Sequence, residues 1–218
     1  MWDWEYAISI MPALGKAALV TIQATGIGFL LALVLGLILA LLRMSGPRMG
    51  WAVSALIEFI RSTPLLIQIF FLYFVFPSFG IVLDAFTAGV IALGLHYGCY
   101  CAEVYRAGLE AVPRGQWEAS IALNLGTYAT FKDVILPQAI PPIVPALGNY
   151  LVALFKETPL LSAIAVLELM QTAKMMGSET FRYTEPMTLV GIIFLLMSLV
   201  SAAGIRWLER RLNRRSAR

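Results

Sequence analysis

Five long apolar segments, separated by shorter polar connections, run along the 218 residues of the chain. An α-helix rises 1.5 Å per residue, so about 20 apolar residues cross a hydrocarbon core of about 30 Å. The predicted spans lie at residues 17–42, 53–76, 86–105, 139–167 and 188–208. The pattern therefore predicts an all-α membrane protein with about five transmembrane helices, formed by a single domain over residues 1–218.

The composition agrees with a membrane protein. Hydrophobic residues make up 60% of the chain and charged residues 13%, whereas a soluble domain carries roughly 25% charged residues because its surface faces water. Most charges lie in the connections. Two spans are exceptions, because the second contains Glu58 and Arg61 and the fourth contains Lys156 and Glu157.

Basic residues in the connections predict the orientation of the chain. The side with the longest polar connection, residues 106–136, carries eleven basic residues, and the opposite side carries three. The first group is Arg43, Arg48, Arg106, Arg114, Lys132 and the six arginines from Arg206 to Arg218, and the second is Lys16, Lys174 and Arg182. Cytoplasmic connections are enriched in Lys and Arg, so we predict an external N-terminus and a cytoplasmic C-terminus.

Metal and nucleic-acid sites are not indicated. Cys99 and Cys101 point in different directions on a helix, and His96 is the one histidine, so no His/Cys ligand cluster is predicted. The C-terminal arginines directly follow an apolar span, which favours a topology determinant over nucleic-acid binding. The acidic, aromatic N-terminus is not typical of a signal peptide, so the first apolar segment is expected to be a permanent span.

The long polar connection has a local pattern of its own. Pro113 and Gly115 are expected to break the preceding helix. Apolar positions at helical spacing predict a short amphipathic helix at residues 116–123. Asn124 and Gly126 can adopt the left-handed conformation that ends such a helix.

Small residues would form one face of this short helix. Ala119, Ser120 and Ala122 would let another surface approach closely, although a loop that merely joins two spans is the alternative. Beyond it, the next membrane helix is predicted to begin at Leu136 and Pro137, because proline is tolerated in a first helical turn.

The same connection resembles the EAA motif of ABC importer permeases, in which Glu-Ala-Ala is followed by a glycine and later by Ile-x-Leu-Pro. Glu118-Ala119-Ser120 and residues 134–137 match this motif, and Asn124 stands at the glycine position. Asparagine tolerates a positive φ better than other non-glycine residues, so the turn is still expected to form.

The resemblance implies a type I importer permease (MetI-like) fold, with a cytoplasmic coupling helix that fits a groove on an ATPase subunit. The coupling residues that it implies are Gly115, Glu118, Ala119, Ser120, Asn124, Gly126, Leu136 and Pro137. The chain has no Gly-x-x-x-x-Gly-Lys-Ser/Thr loop to cradle phosphates. ATP and Mg are therefore expected on a partner ATPase dimer, with no catalytic residue and no cofactor on this chain.

Further segments narrow the resemblance. Residues 58–71 and 156–161 resemble polar amino-acid permeases of the histidine, glutamine and arginine type. Residues 93–97, 141–150 and 177–186 resemble the permeases of ectoine and hydroxyectoine importers. The implied solute is small, polar and amino-acid-like, with ectoine or hydroxyectoine first and glutamate, glutamine, arginine or cystine as alternatives.

The resemblance also implies partners in a bacterial inner membrane. These are a second permease subunit, either a homologous sister or another copy of this chain, and an extracytoplasmic solute-binding protein. A secondary transporter or channel driven by an ion gradient is the main rival, but the chain is short and has no repeated halves. An intramembrane enzyme is less favoured, because no nucleophile lies beside a base.

Ionisable groups at membrane depth cost upward of about 2.5 kcal/mol, and those retained usually face a cavity or a partner. Glu58 and Arg61 are three residues apart, as are Glu103 and Arg106, so each pair can meet on one helix face. We predict both as structural ion pairs, with substrate contact as the alternative for Glu58 and Arg61.

Other polar groups are predicted to line a substrate pathway, namely His96, Lys156, Glu157 and Thr158. Lys156 and Glu157 are adjacent and precede Pro159, which frees the carbonyl group of Phe155. Broken helices with ionisable residues form the midplane sites of transporters. A structural role for Glu157 and a packed core position for His96 are the alternatives.

Overall fold

The computed structural model describes residues 2–216, with side chains for residues 2–211. The described part is helical and contains no strand. Its helices are α1 (Trp4–Met44), α2 (Pro47–Arg61), α3 (Leu65–Phe70), α4 (Ala85–Glu110), α5 (Arg114–Ala122), α6 (Thr127–Ala129), α7 (Leu136–Glu157), α8 (Leu169–Thr180) and α9 (Thr184–Ser216). The side chains of Arg214, Arg215 and Arg218, which belong to the predicted basic tail, lie outside the described set.

Four helical segments are long and apolar enough to cross a membrane, and a bent pair of helices can form a fifth. They are Trp4–Met44, Ala85–Glu110, Thr127–Ile164 and Thr184–Arg211, with the pair Pro47–Arg61 and Leu65–Phe79. This result confirms the predicted all-helical fold with about five spans.

The helix that contains the first predicted span is longer than the apolar segment, because α1 begins at Trp4 and not near residue 17. Its 41 residues extend for about 60 Å at 1.5 Å per residue, which is more than a hydrocarbon core needs. Asp3 caps the helix by accepting hydrogen bonds from the backbone N–H groups of Glu5 and Tyr6. The added turns are held by packing of Leu14 and neighbouring residues against α8 and α9.

An ionic contact fastens this end of α1 to the connection between α8 and α9. Arg182 lies 3.0 Å from the Asp3 carboxylate and 2.7 Å from that of Glu185. The backbone N–H of Tyr6 and the Arg182 guanidinium lower the pKa of Asp3. Asp3 also donates its backbone N–H to Glu185, so the start of α1 is joined to the start of α9 at one edge of the bundle.

Small residues allow α1 and α4 to approach closely. Gly28, Ala32, Gly36 and Ala40 are buried at intervals of four residues along α1. A Cβ atom on Gly36 would lie 2.6 Å from the Cβ of Cys101 and 2.9 Å from the Gly98 carbonyl oxygen. Such spacing of small residues is a common basis of helix association in membranes.

Replacing Gly36 by alanine should therefore destabilise the protein. The neighbouring atoms are backbone and Cβ atoms that cannot rotate away, and overpacking of this kind costs about 1–3 kcal/mol. We expect a lower unfolding temperature for the purified G36A protein in a thermal-shift measurement. Gly26→Ala is the matched control on the same helix, because no atom lies within 4 Å of its added Cβ. Equal unfolding temperatures for both variants would contradict the close contact.

Hydropathy predicted one continuous span over residues 53–76. The structure instead has two helical segments there, joined at a bend. The helix α2 ends at Arg61, and the segment Leu65–Phe79 leaves it at an angle of 99°. Pro64 explains the break, because it lacks an N–H donor and disfavours a helical conformation in the preceding residue.

The fourth span breaks beside Pro159, as predicted, and not at its earlier prolines. The prolines at 141, 142 and 145 lie inside a continuous α7, which is packed on both sides, with Ile143 against Gly108 and Gly148 against Ile205. The α-helix instead ends at Glu157 and gives way to a 3₁₀ turn, Thr158–Ile164. The regular α-helix starts at Leu136, but the helical segment that can cross the membrane already begins at Thr127 and includes the π-helical stretch Thr130–Ile135.

Candidate functional site

Four aromatic side chains form a polar cluster between α4 and α7. His96 and Tyr97 are consecutive residues of α4, Tyr100 lies one turn further along, and Tyr150 comes from α7. The ring of Tyr100 lies 5.3 Å from that of His96 and 5.3 Å from that of Tyr150, and the rings of Tyr97 and Tyr150 are 6.3 Å apart. We call these four residues the aromatic cluster.

A positive group lies at one edge of the aromatic cluster. The guanidinium carbon of Arg61 lies 4.9 Å from the centre of the Tyr100 ring, which is within the range of a cation–π interaction. Arg61 also pairs with Glu58, as predicted, but at 3.9 Å and with the Glu58 side chain 72% exposed. An exposed ion pair of this length holds a side chain weakly, so Arg61 is available for another anion.

A negative group lies at another edge. Glu157 approaches Tyr97 closely enough for its carboxylate to interact with the phenol. Its Oε2 atom is covered and has no hydrogen-bond partner in the described part of the chain. Burying a carboxylate oxygen without a partner is costly, so the Glu157 carboxylate is an uncompensated negative group that a nearby cation would stabilise.

The aromatic cluster with its two charged edges can bind a small zwitterion. A guanidinium group recognises a carboxylate through paired hydrogen bonds, and tyrosine faces and a carboxylate both attract a cation. Of the residues predicted for a substrate pathway, His96 and Glu157 are brought together here. Arg61 also lies at this cluster, although the sequence favoured a structural pair with Glu58 over a substrate contact.

Two predicted pathway residues lie elsewhere. Lys156 is exposed in a separate groove of about 430 Å³ between α7 and α9, together with Arg206 and Glu209. Thr158 is fully buried. Its hydroxyl donates to the Phe155 carbonyl at 2.8 Å, which is the group that Pro159 was expected to free, so Thr158 closes the helix end rather than lining the cluster.

Sequence reasoning missed the three tyrosines. Tyr97 and Tyr100 are three residues apart in an apolar helix, which places two phenols on one face, and this spacing was the available signal. Tyr150 had no such signal, because only the packing of α7 beside α4 brings it to the same place.

The short helix α5 confirms the predicted helix in the polar connection, with bounds Arg114–Ala122. Asn124 has a φ of 53°, as its place in the motif predicted, while Gly126 has a φ of −65° and is not left-handed. The N–H of Leu125 donates to the Ser120 carbonyl at 3.0 Å, and that of Asn124 donates to Ile121 at 2.9 Å. These two bonds form a Schellman motif, so asparagine supplies the turn that glycine would make.

Two faces of α5 have different surroundings. On the inner face Ser120 is 1% exposed, and Trp117 packs edge-on against Phe131 at 5.3 Å between ring centres. Glu118 and Ala119 are exposed on the outer side. Ser120 therefore does not share the exposed small-residue face that the sequence suggested.

Large apolar side chains lie uncovered around α5. Ile121, Leu123 and Tyr128 are 76%, 73% and 77% exposed. An exposed apolar patch beside polar residues marks an interaction surface. The patch is next to Glu118 along the chain, and we call residues 118–128 the coupling surface.

An ionic network stands at the base of this connection. Arg106 lies 2.9 Å from Glu103, as predicted, and also pairs with Glu110. Glu103 additionally pairs with Arg43 at the end of α1. The second arginine ties α1 to α4, so the end of the bundle that carries the coupling surface is braced from two helices.

Within the described residues no group of three or more His, Cys, Asp or Glu side chains is arranged to hold a metal ion.

The sequence matches the family described as binding-protein-dependent transport system inner membrane component over residues 32–214. A probable amino-acid ABC transporter permease protein of Sinorhizobium fredii is 46% identical over 214 residues, which cover 98% of this chain and 93% of the relative. The L-cystine transport system permease protein of Bacillus subtilis is 38% identical over 98% of this chain and 92% of its own length.

Solved structures agree in fold. The crystal structure of an amino acid ABC transporter with histidines has a TM-score of 0.91 and 35% identity, over 97% of this chain and 99% of the other. An inward-facing methionine ABC transporter has a TM-score of 0.80 at 21% identity, over 94% and 98% of the two chains, and it supports the fold alone.

Proposed function

Because the chain belongs to the family of binding-protein-dependent transport system inner membrane components, we propose that it passes ectoine or hydroxyectoine through an importer of the amino-acid type. It is the permease subunit of an amino-acid ABC importer and a multi-pass protein of the inner membrane. Permease subunits are not themselves enzymes, since nucleotide binds to the partner ATPase. This membership excludes the ion-driven secondary transporter.

One observation supports ectoine as the solute. Two of the three segments that resemble ectoine permeases, residues 93–97 and 141–150, supply His96, Tyr97 and Tyr150 of the aromatic cluster. Ectoine has a carboxylate and a delocalised cationic amidine. Arg61 is placed to receive the carboxylate, and Glu157 and the tyrosine faces are placed to receive the amidine.

The coupling surface is proposed to dock on the ATPase. Its exposed apolar residues need a cover in the assembled importer. The Schellman turn at Asn124 and the anchor between Trp117 and Phe131 hold α5 in a fixed position relative to α7. A movement of the ATPase would then be passed to α7, which carries Tyr150 and Glu157.

A second permease subunit is proposed to complete the pathway, either a homologous sister or another copy of this chain. Asn149 and Lys156 are exposed on α7 at membrane depth, and Lys156 lies in the groove beside α9. Polar groups of this kind avoid lipid and face a partner or a water-filled path. A solute-binding protein would deliver the solute on the outer side.

The N-terminus is proposed to lie outside and the C-terminus inside. Arg43 and Arg106 meet at Glu103, on the side of the bundle where α5 lies, and this side is basic as cytoplasmic faces are. In a background without Cys99 and Cys101, Ser178→Cys should react with an impermeant maleimide added outside intact cells. Ser216→Cys should react only after the membrane is permeabilised. Reversed labelling would invert the orientation.

The solute is tested by reconstitution. The permease, assembled in liposomes with its ATPase and its binding protein, should take up radiolabelled ectoine when ATP is present. Excess hydroxyectoine should compete, whereas glutamate, glutamine and arginine should not. L-cystine is included because the Bacillus subtilis relative is named for it. Uptake of radiolabelled cystine without uptake of ectoine would replace the proposed solute by cystine.

A further inference from the structure

A glutamine side chain occupies the bend of the second span. The Nε2 atom of Gln68 lies 2.7 Å from the Ile60 carbonyl oxygen, 3.1 Å from the Thr63 carbonyl oxygen and 2.7 Å from the Thr63 hydroxyl. Its Oε1 atom lies 3.2 Å from Nδ1 of His96 on α4. Gln68 therefore connects the end of α2, the start of α3 and the aromatic cluster.

The bend needs such a donor at the Thr63 carbonyl, whereas the Ile60 carbonyl already accepts from the N–H and hydroxyl groups of Thr63. Pro64 has no N–H group. The N–H groups of Ile67 and Gln68 both donate to the Pro64 carbonyl, so neither reaches Thr63. The amide of Gln68 supplies the donor that the Thr63 carbonyl lacks and adds another at the Ile60 carbonyl, so it stabilises the 99° angle between the two helical segments.

The orientation of the Gln68 amide follows from its neighbours. Backbone carbonyl oxygens only accept hydrogen bonds, so the NH₂ group must face Ile60 and Thr63. The reverse orientation would place Oε1 against two carbonyl oxygens. Oε1 therefore faces His96 and accepts, which requires that Nδ1 of His96 carry a proton.

The other ring nitrogen of His96 is then an acceptor. In the neutral ring with a proton on Nδ1, the lone pair lies on Nε2. Nε2 has no hydrogen-bond partner among the described residues. It is also not fully covered, because the covered, unpaired side-chain atoms of these residues do not include it. The ring stands 5.6 Å from that of Tyr97 and 5.3 Å from that of Tyr100, so this acceptor belongs to the aromatic cluster.

We propose that Gln68 is a positioning residue that holds His96 in its Nδ1-protonated form, and that Nε2 of His96 accepts a hydrogen bond from an N–H group of the solute. The proposal rests on the role of the aromatic cluster in solute passage. It adds a rule of specificity, because a cation without N–H groups, such as the quaternary ammonium of glycine betaine, leaves Nε2 unpaired. A site that loses a hydrogen bond in this way rejects the ligand that lacks the donor.

The protonation of His96 can be read directly by NMR. His96 is the one histidine of the chain, so permease labelled with ¹⁵N-histidine and assembled with unlabelled ATPase gives one pair of imidazole signals. We expect a protonated Nδ1 and an unprotonated Nε2 in lipid nanodiscs. Adding ectoine should shift the Nε2 signal and leave Nδ1 bonded, whereas glycine betaine should shift neither. A proton on Nε2 of the neutral ring would overturn the proposal.

Two variants separate positioning from packing. Gln68→Leu removes the amide, so the His96 signals should change to a mixture of the two neutral forms. Gln23→Leu is the matched control, because Gln23 is exposed on α1, and its His96 signals should equal those of the wild type. Unchanged signals in Q68L would show that Gln68 does not fix the ring.

His96→Asn retains an N–H near the position of Nδ1 and removes the Nε2 acceptor. We expect an unchanged unfolding temperature and a loss of preference for ectoine over glycine betaine of about tenfold or more, the effect of one hydrogen bond to a charged donor. Binding is measured on the permease–ATPase complex without the solute-binding protein. An unchanged preference would overturn the acceptor role.

The NMR titration distinguishes a wrong solute from a wrong role for His96. If ectoine is not the solute, arginine and cystine titrations of the same labelled complex apply, since both carry N–H cations. A shift of Nε2 by either would support the acceptor role while refuting ectoine. No shift of Nε2 by a solute that the importer is shown to transport would refute the acceptor role.

Discussion

Reversing the charge of Glu118 by substitution with lysine should abolish solute uptake while the protein still inserts into the membrane. Glu118 is exposed on α5 beside the uncovered Ile121, and it makes no contact that folds the chain. A lysine there would place an unmatched positive charge in the proposed contact with the ATPase. Leaving a charge unpaired in an interface costs several kcal/mol.

The measurements are co-purification of the ATPase with tagged permease and solute-stimulated ATP hydrolysis in liposomes. Both should fall to background for E118K. Glu179→Lys makes the same change on α8, where Glu179 is also exposed, and should leave co-purification intact. If E118K retained wild-type stimulated hydrolysis, the coupling surface would have to be assigned elsewhere.

Replacing Glu157 by glutamine should sharply reduce uptake with little effect on assembly. The substitution preserves the shape of the side chain and removes its charge, so it tests pairing with the solute cation. The unpartnered Oε2 atom indicates that the carboxylate is not consumed by a contact within the described chain. Losing a charged hydrogen bond of about 1.5–3 kcal/mol corresponds to a fall of roughly tenfold to a hundredfold.

Uptake by E157Q is compared with wild type in liposomes with saturating binding protein, and basal ATP hydrolysis is recorded in parallel. Basal hydrolysis should persist, because the coupling surface is untouched. Glu5→Gln, at an exposed position in the first turn of α1, is the matched control and should transport normally. Normal uptake by E157Q would return Glu157 to a structural role, close to Tyr97 at the end of α7.

The sequence alone predicted the features that depend on neighbouring residues, namely the membrane helices, the coupling connection and the ion pairs within one helix. Apolar length predicted the membrane helices, since crossing a hydrocarbon core sets a minimum run of residues. The coupling connection was also readable, because Pro113 ends one helix and Asn124 tolerates the positive φ that ends the next. The ion pairs Glu58–Arg61 and Glu103–Arg106 followed from a spacing of three residues.

Hydropathy did not predict which prolines break a helix, because the length and apolarity of a segment do not determine its backbone conformation. It could not show that Pro64 would bend the second span by 99° while Pro141, Pro142 and Pro145 would remain inside a continuous helix. The two groups of prolines differ in how the neighbouring helices pack and in which side chains donate hydrogen bonds to the freed carbonyl groups. Gln68 reaches back across the first break, whereas α7 is held between α4 and α9.

Only the tertiary structure decided which polar groups act together. Lys156 and Glu157 are neighbours in sequence, yet the fold places Lys156 in the groove with Glu209 and Glu157 beside Tyr97. Arg61 and Tyr150 are far apart in sequence and both lie against Tyr100. Helix periodicity fixes the direction of a side chain relative to its own helix, but the neighbour that it meets depends on how the helices pack. The small residues of α1 and α4 set that packing here, and with it the composition of the site.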